Sequence, residues 1–352
     1  MKPSFTVSML MAVHNGDRYL REALDSLAEQ TCKDFRLVVV DDCSTDQTAD
    51  ILFAENRFDI LRLRNEDNLG LTKSLNVGLA QCDSDWIMRM DADDICVPDR
   101  VAVQRSFIEQ NPDVSLFSSD MVLIDADNRR TGTFCFPSED GGIRFDFLFA
   151  NPFGHPAACF RREALIKAGG RYDAGFRTCQ DYELWSRLLD HGRVANQREM
   201  LIRYRRHEGT VNALNGEEQG VMIDKVRIAY ARKVAEAVAR DDESAVEAFV
   251  ALMRGACPAG AEGLKTARAG FEVFKTLANR WRVLPDSRQF CRRWKLICRS
   301  QVEWNKMCRM RAVNWMGSKN FIWTWASERW GAERLNRCSI GWPFRGDEPI
   351  KS

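Results

Sequence analysis

At 352 residues the chain can bury one large α/β core with an appendage, or two medium domains. Its 45% hydrophobic and 29% charged residues exclude a disordered or peptide-like chain. The formal net charge of +1 conceals an asymmetry: from Lys265 to Arg345 there are 18 Lys and Arg against 5 Asp and Glu, and the remainder carries −12, so the two parts face different electrostatic partners.

The N-terminus has one lysine, Lys2, and a short apolar run without the long hydrophobic region and small-residue cleavage site of a secretory signal. No window approaches the ~18 consecutive apolar residues of a spanning helix. The expected location is therefore cytoplasmic, with a peripheral position at the inner face of the membrane left open. The twelve cysteines are scattered without a C-x-x-C pair. They read as reduced, mostly buried thiols in place of a zinc site or disulfide framework.

Val7 to Val13 is a β-branched and aliphatic run that predicts a first strand, ended by the turn-like His14-Asn15-Gly16. Leu20, Ala23, Leu24, Leu27 and Ala28 then recur at helical spacing. Phe35 to Val40 is a near-continuous apolar strand ending on Asp41-Asp42, as in a parallel sheet covered on both faces. Ser44-Thr45-Asp46 supplies an N-cap for a helix over Gln47 to Glu55. Ile60 to Leu63 is a third strand, Leu71 to Ala80 a helix, and Trp86 to Met90 a fourth strand running into Asp91-Ala92-Asp93-Asp94. After Pro98 come a helix over Arg100 to Gln110, strands at Val114 to Phe117 and Met121 to Ile124, and a loop-rich stretch from Asp125 to Pro156. Long helical segments begin near Glu217. The pattern predicts a doubly wound α/β sheet over residues 1–215 and an α-helical region over 216–352. In such sheets ligands bind beyond the carboxyl ends of the strands, where both acidic clusters fall.

Two carboxylates spaced i, i+2 at a strand end, as Asp91 and Asp93 are, can reach one divalent cation where the backbone turns; hard ions such as Mg²⁺ and Mn²⁺ prefer oxygen ligands. Aspartates after strands also serve as helix caps, and the motif alone does not separate the two. Its company does. Val7-Ser8-Met9-Leu10-Met11-Ala12-Val13-His14-Asn15, Val40-Asp41-Asp42-Cys43-Ser44-Thr45-Asp46, Asn68-Leu69-Gly70-Leu71 with Asn76, and Asp91 to Asp94 with Pro98-Asp99-Arg100 follow in order. His155-Pro156 with Phe160-Arg161-Arg162, Gly169-Gly170-Arg171-Tyr172-Asp173 and Gln180-Asp181-Tyr182-Glu183-Leu184-Trp185 come after them. Together these resemble the family 2 glycosyltransferases, over roughly residues 5 to 210.

The resemblance implies a GT-A fold and inverting transfer from a nucleotide diphosphate sugar, with Mn²⁺ or Mg²⁺, to a hydroxyl of a glycan or lipid-linked acceptor, in cell-surface polysaccharide assembly. It implies that Ala12, Val13 and Asn15 offer backbone groups to the nucleotide, that Asp42 accepts from a base N–H, and that Asp41 binds there or supports the loop. It sets Asp91 near the ribose and metal, Asp93 as the direct ligand, and His207 close to the metal or diphosphate. His155 falls on the acceptor side. Asp181 is the candidate general base, since inversion needs one carboxylate to take the acceptor's proton; the family's usual Glu-Asp is Gln180-Asp181 in this chain. Lys73, near a helix start, could reach a phosphate or be a solvated lysine. Asp94 reads as a cap of the following turn.

Eight of the ten tryptophans lie between Trp281 and Trp342, among the excess cations. That mixture suits a small packed helical subdomain or contact with an anionic membrane surface; nucleic acid is not expected. Two other functions are weighed. A nucleotidyltransferase would need a Gly-rich basic loop after the first strand, where Val13-His14-Asn15-Gly16-Asp17 is a poor one. A non-catalytic sugar-nucleotide-binding module would not need Asp181.

Overall fold

The structure, a computed structural model, describes residues 6–207, 216–254 and 260–283. It divides into two compact units, Met1–Tyr230 and Ala231–Ser352.

In the first unit the strands are β1 (Val7–Val13), β2 (Phe35–Asp41), β3 (Ile60–Arg64), β4 (Trp86–Arg89), β5 (Ile95–Cys96), β6 (Val114–Ile124), β7 (Arg130–Phe134), β8 (Cys159–Arg161) and β9 (Arg193–Arg205). They form one sheet in the order β3-β2-β1-β4-β8-β6-β9-β5, with β7 paired to β6. The half β3-β2-β1-β4 is parallel, as expected from strands joined by α1 (Asp17–Ala28), α2 (Thr48–Ala54) and α3 (Leu71–Leu79). The other half is mixed: β8 runs antiparallel to β4 and β6, and β6 lies parallel to β9. The sheet is therefore not doubly wound throughout. Along β1 and β2 every residue but Arg36 is buried, because each face is covered. Val7, Met9, Met11, Phe35, Leu37 and Val39 belong to one core with Leu20, Ala23, Leu24 and Leu27 of α1. On the opposite face α3 rests on Leu10, Val38 and Val40 through Gly78.

Several boundaries differ from the sequence expectation for identifiable reasons. β6 is one strand across Ser118-Ser119-Asp120, whose polar side chains read as a break. They are buried and satisfied: Ser118 Oγ accepts the Gly154 N–H at 3.0 Å and Asp120 Oδ1 accepts the Phe136 N–H at 2.9 Å. The interruption survives only as irregular register against β9. The stretch expected to be loop holds β7, α5 (Asp140–Asp146) and a 3₁₀ turn at His155–Ala157. The long β9 was hidden by its charged residues. At α2 the N-cap position is Gln47, without a side-chain cap bond; Asp46, one residue earlier, accepts the Thr48 N–H at 2.9 Å, while Ser44 bonds elsewhere. The remaining helices of this unit are α4 (Arg100–Gln110), α6 (Arg162–Lys167), α7 (Gln180–Leu188) and the start of α8 (Gly216–Ala239).

The second unit takes up the rest of α8, then α9 (Glu243–Arg254) and α10 (Gly260–Arg280). Buried Val246, Phe249, Val250, Met253, Phe271, Phe274 and Leu277 form its apolar interior. A Cβ on Gly270 would meet the Ala248 carbonyl oxygen at 2.6 Å, a measure of how closely α9 and α10 approach. The basic, tryptophan-rich stretch beyond residue 283 lies outside the described residues. Among the described residues no helix is long and apolar enough to cross a membrane, and no cysteine is paired; Cys82, Cys96 and Cys159 are buried.

Gly78 gives the test of this packing. A Cβ there would stand 2.6 Å from Leu10 Cδ1 and 3.0 Å from Val40 Cγ2, both fully buried. Alanine gains about 1 kcal/mol of helix propensity, but overpacking costs about 1–3 kcal/mol, and the rigid core favours the latter. Gly78→Ala is expected to lower the urea midpoint; a raised midpoint would contradict this packing.

Candidate active site

Beyond the C-terminal ends of β1 and β2 two loops are laced together. The Asp42 N–H donates to the Val13 carbonyl at 2.8 Å, and His14 Nδ1 donates to the Asp42 carbonyl at 2.7 Å. Asn15, at φ 49°, donates its N–H to Ser44 Oγ at 2.9 Å and accepts the Thr45 N–H at 2.8 Å. The Gly16 and Asp17 N–H groups go to Thr48 Oγ1 and Asp46 Oδ2. On its other edge β1 outruns β4: the register ends at Leu10 opposite Arg89, and the Met90 N–H takes the Leu10 carbonyl at 3.1 Å. Ala12, two residues on, presents its N–H and carbonyl on that same edge, at the mouth between β1 and the turn after β4.

Asp42 is buried and largely committed within the protein. Its Oδ1 accepts from Asn65 Nδ2 at 2.7 Å and the Leu69 N–H at 2.9 Å, and Oδ2 accepts the Gly70 N–H at 2.8 Å. Burial alone would raise its pKa, but these bonds, with Ser74, outweigh it and hold the carboxyl below its ordinary value. A carboxylate offers about four acceptor positions, so these partners occupy most or all of Asp42. Gly70, at φ 82°, supplies the left-handed residue that brings two successive N–H groups onto Asp42. Asp41 accepts the Ser44 N–H at 2.9 Å and lies 3.1 Å from Arg64, so it braces the loop. Lys73 is exposed on the first turn of α3 and has no hydrogen bond or ion pair among the described residues.

The turn after β4 stands on two buried guanidinium groups. Arg89 is wholly buried; it donates to the Leu10 and Met90 carbonyls, pairs with Asp91 Oδ1, and donates from Nε to His155 Nε2 at 3.0 Å. Arg205, at the end of β9, donates to the Asp93 carbonyl at 2.7 Å, to Asn128 Oδ1 at 2.6 Å and to Glu22 at 2.8 Å, and its guanidinium lies 4.4 Å from the Tyr19 ring centroid. The Arg205 N–H takes Asp94 Oδ1 at 2.8 Å, so Asp94 ties β9 to the turn and does not cap it. Burial and the charges of Asp93 and Asp91 push the Asp94 carboxyl well above the usual range.

On this frame Asp91 and Asp93 remain 26% and 33% exposed. Burial pushes the Asp91 carboxyl up, against the pull of Arg89 and with the Asp93 charge adding to the rise. Asp93 Oδ2 lies 3.0 Å from His207 Nε2, and the His207 ring packs on Tyr19. The structure thus joins Asp93 to His207 and Asp91 to Arg89. Among the described residues no three His, Cys, Asp or Glu side chains gather into a group that could hold a metal ion.

Asp181 lies in the first turn of α7. Burial lifts its pKa to about 6, opposed by the Tyr182 N–H and the Asn151 side chain, with the Asp91 charge adding to the rise. Asn151 Nδ2 donates to Asp181 Oδ2 at 2.7 Å. One turn on, Trp185 is fully buried against Phe153, His155 and Phe160 and anchors the helix. His155 Nε2 accepts from Arg89 and lies 3.2 Å from the Tyr172 hydroxyl, so the ring proton sits on Nδ1. Burial, then the Arg89 charge, hold its pKa well below the ordinary value, and His155 is neutral. Asn76 clasps the backbone of Tyr172 with both ends of its amide, at 2.8 and 2.9 Å.

Sequence reasoning passed over Arg89, Arg205 and Asn151. An arginine inside the otherwise apolar Trp86 to Met90 was a usable signal, because a buried charge needs a partner; Asn151, in an irregular segment, carried none.

A model of the family described as Glycosyl transferase family 2 matches residues 8–169. An uncharacterized glycosyltransferase of Haemophilus influenzae is 33% identical over 221 residues, covering 61% of this chain and 80% of that protein. The amylovoran biosynthesis glycosyltransferase AmsE of Erwinia amylovora is 30% identical over 214 residues, covering 59% of this chain and 79% of its own. Among solved structures, S. aureus TarS 1-349 in complex with UDP-GlcNAc aligns with a TM-score of 0.54 at 19% identity, over 85% of this chain and 81% of that one. The architecture is the GT-A fold.

Asp42 supplies a measurable consequence. Asn at this position would turn an NH₂ toward backbone donors, costing about 1–3 kcal/mol. Because the folded carboxyl titrates below its ordinary value, its contribution is complete above the unfolded pKa of about 3.9 and is lost as pH falls through the folded value. The stability gap between wild type and Asp42→Asn should be full at pH 7 and shrink below about pH 4 in urea titrations. A gap independent of pH would contradict the assigned bonds.

Proposed function

The chain belongs to glycosyl transferase family 2 and is a glycosyltransferase, and we propose that it transfers a sugar with inversion from a nucleotide diphosphate sugar to a hydroxyl of a glycan or lipid-linked acceptor. The observation that carries this reading is the turn after β4, where two partly exposed carboxylates stand on a fully buried arginine frame. Their relative's name, with amylovoran biosynthesis in it, and the UDP-GlcNAc held by TarS support a sugar-nucleotide donor and a role in cell-surface polysaccharide assembly.

For a hard divalent ion, Mn²⁺ or Mg²⁺, Asp91 and Asp93 would supply the oxygen ligands such ions prefer, with His207 beside Asp93. When bound, the ion neutralises the diphosphate leaving group as a Lewis acid. The protein's own residues do the remainder. The backbone of Ala12, Val13 and Asn15 lines the nucleotide, and Asp42 accepts from a base N–H, with Asp41 holding the loop. Asp91 serves the ribose as well as the ion, and Lys73 reaches toward phosphate. Asp181 takes the acceptor's proton as its oxygen attacks the anomeric carbon opposite the departing diphosphate. Neutral His155, fixed by Arg89 and Tyr172, shapes the acceptor side.

A screen of nucleotide diphosphate sugars with Mn²⁺ or Mg²⁺ identifies the donor and allows two substitutions to be read. Asp181→Asn should lower kcat by about 10²–10⁴-fold at little cost to donor KM, and Asp93→Ala should abolish metal-dependent turnover. Since Asp181 must be ionised, kcat/KM of the wild type should rise with pH through about 6. Full activity in either variant would overturn the assignment.

A further inference from the structure

We infer that Asn151 is the positioning residue for the base: its side-chain amide fixes one oxygen of Asp181 and leaves the other lone pairs to the acceptor hydroxyl. This rests on reading Asp181 as the general base. The geometry fixes the amide's orientation. Asn151 Oδ1 accepts the Phe153 N–H at 3.2 Å, so the NH₂ is the group that meets Asp181 Oδ2 at 2.7 Å. The segment carrying Asn151 is itself anchored by the two residues that follow it. Asn196 of β9 donates to the Pro152 carbonyl at 2.9 Å, and buried Phe153 packs edge-on against Trp185 of α7 with ring centroids 6.3 Å apart. The donor and the carboxylate it holds therefore rest on one packed unit, which is what keeps a base in a productive orientation.

The surroundings of Asp181 give Asn151 its leverage. Facing the carboxylate are Asp91 from the turn after β4, Cys179 from the residue preceding α7, and the Tyr172 hydroxyl from the loop before it. None of these three carries positive charge. The ionised form is favoured chiefly by hydrogen bonds: the N–H groups at the start of α7, and Asn151. Removing a hydrogen bond to the charged form raises a carboxyl's pKa, so Asn151 sets the pH at which the base becomes available.

The test is the pH profile of kcat/KM for Asn151→Ala and the isosteric Asn151→Asp. The ascending limb should move up by about one pH unit in Asn151→Ala and further in Asn151→Asp, where a second carboxylate faces the first. Activity at pH 6 should fall about fivefold in Asn151→Ala and recover toward wild type at high pH, with donor KM unchanged. A limb that stays at its wild-type position in both variants, with the loss equal at every pH, would overturn the inference and leave a merely structural asparagine. Asp181→Asn separates the two claims. If it stays active, the base assignment itself fails; if it is inactive while the limb of the Asn151 variants does not move, only the role of Asn151 is lost.

Discussion

A positive charge with no exposed surface must find its partners inside the protein, and the candidate site is arranged around that requirement at Arg89. Left unpaired, such a charge would cost several kcal/mol. Arg89 spends its donors on the Leu10 and Met90 carbonyls, on Asp91 and on His155, and its own carbonyl accepts from buried Arg100 at 2.7 Å. The same contacts hold the end of β1 beside the end of β4, orient the first carboxylate of the turn, and fix His155 as a neutral ring. One buried guanidinium thus ties together the groups proposed for the donor side and for the acceptor side. Arg205 does the complementary task from β9, fixing the backbone of Asp93 and Asp94.

This explains how carboxylates crowded into one turn remain available. Asp94 is buried and pushed toward its neutral form, which relieves like-charge repulsion around Asp93. Asp42 is used the opposite way: its hydrogen bonds favour its charge, and it orders the loop from Asn65 to Gly70. Asp181, buried and under the charge of Asp91, is left at a pKa of about 6, where a base can both hold and release a proton near neutral pH.

The parallel half of the sheet was legible in the sequence because burial on both faces writes itself as unbroken apolar runs, Val7 to Val13 and Phe35 to Val40, each ending at an acidic or polar turn. The mixed half was not. Ser118, Ser119 and Asp120 look like a chain break until the partners of Ser118 and Asp120 are known, and those lie 36 and 16 positions away in sequence. β9 was obscured in the same way, since its arginines serve contacts with other segments. At the site, Asp91, Asp93 and Asp181 could be named from motif and context. What holds each of them could not, because Arg89, Arg205 and Asn151 act through pairings set by the fold and by no local pattern. Asp42 shows the reverse limit: its motif suggested a ligand contact, while the fold assigns most of its lone pairs to the protein.

The account stands or falls on whether the turn after β4 binds nucleotide through a divalent ion. Isothermal titration of the wild-type chain with a nucleoside diphosphate, in Mn²⁺ and again with chelator, measures this directly, alongside Asp93→Ala under both conditions. The account predicts that affinity falls about tenfold or more when the ion is removed, and that Asp93→Ala binds weakly with or without Mn²⁺. Equal affinity in all four titrations would contradict it.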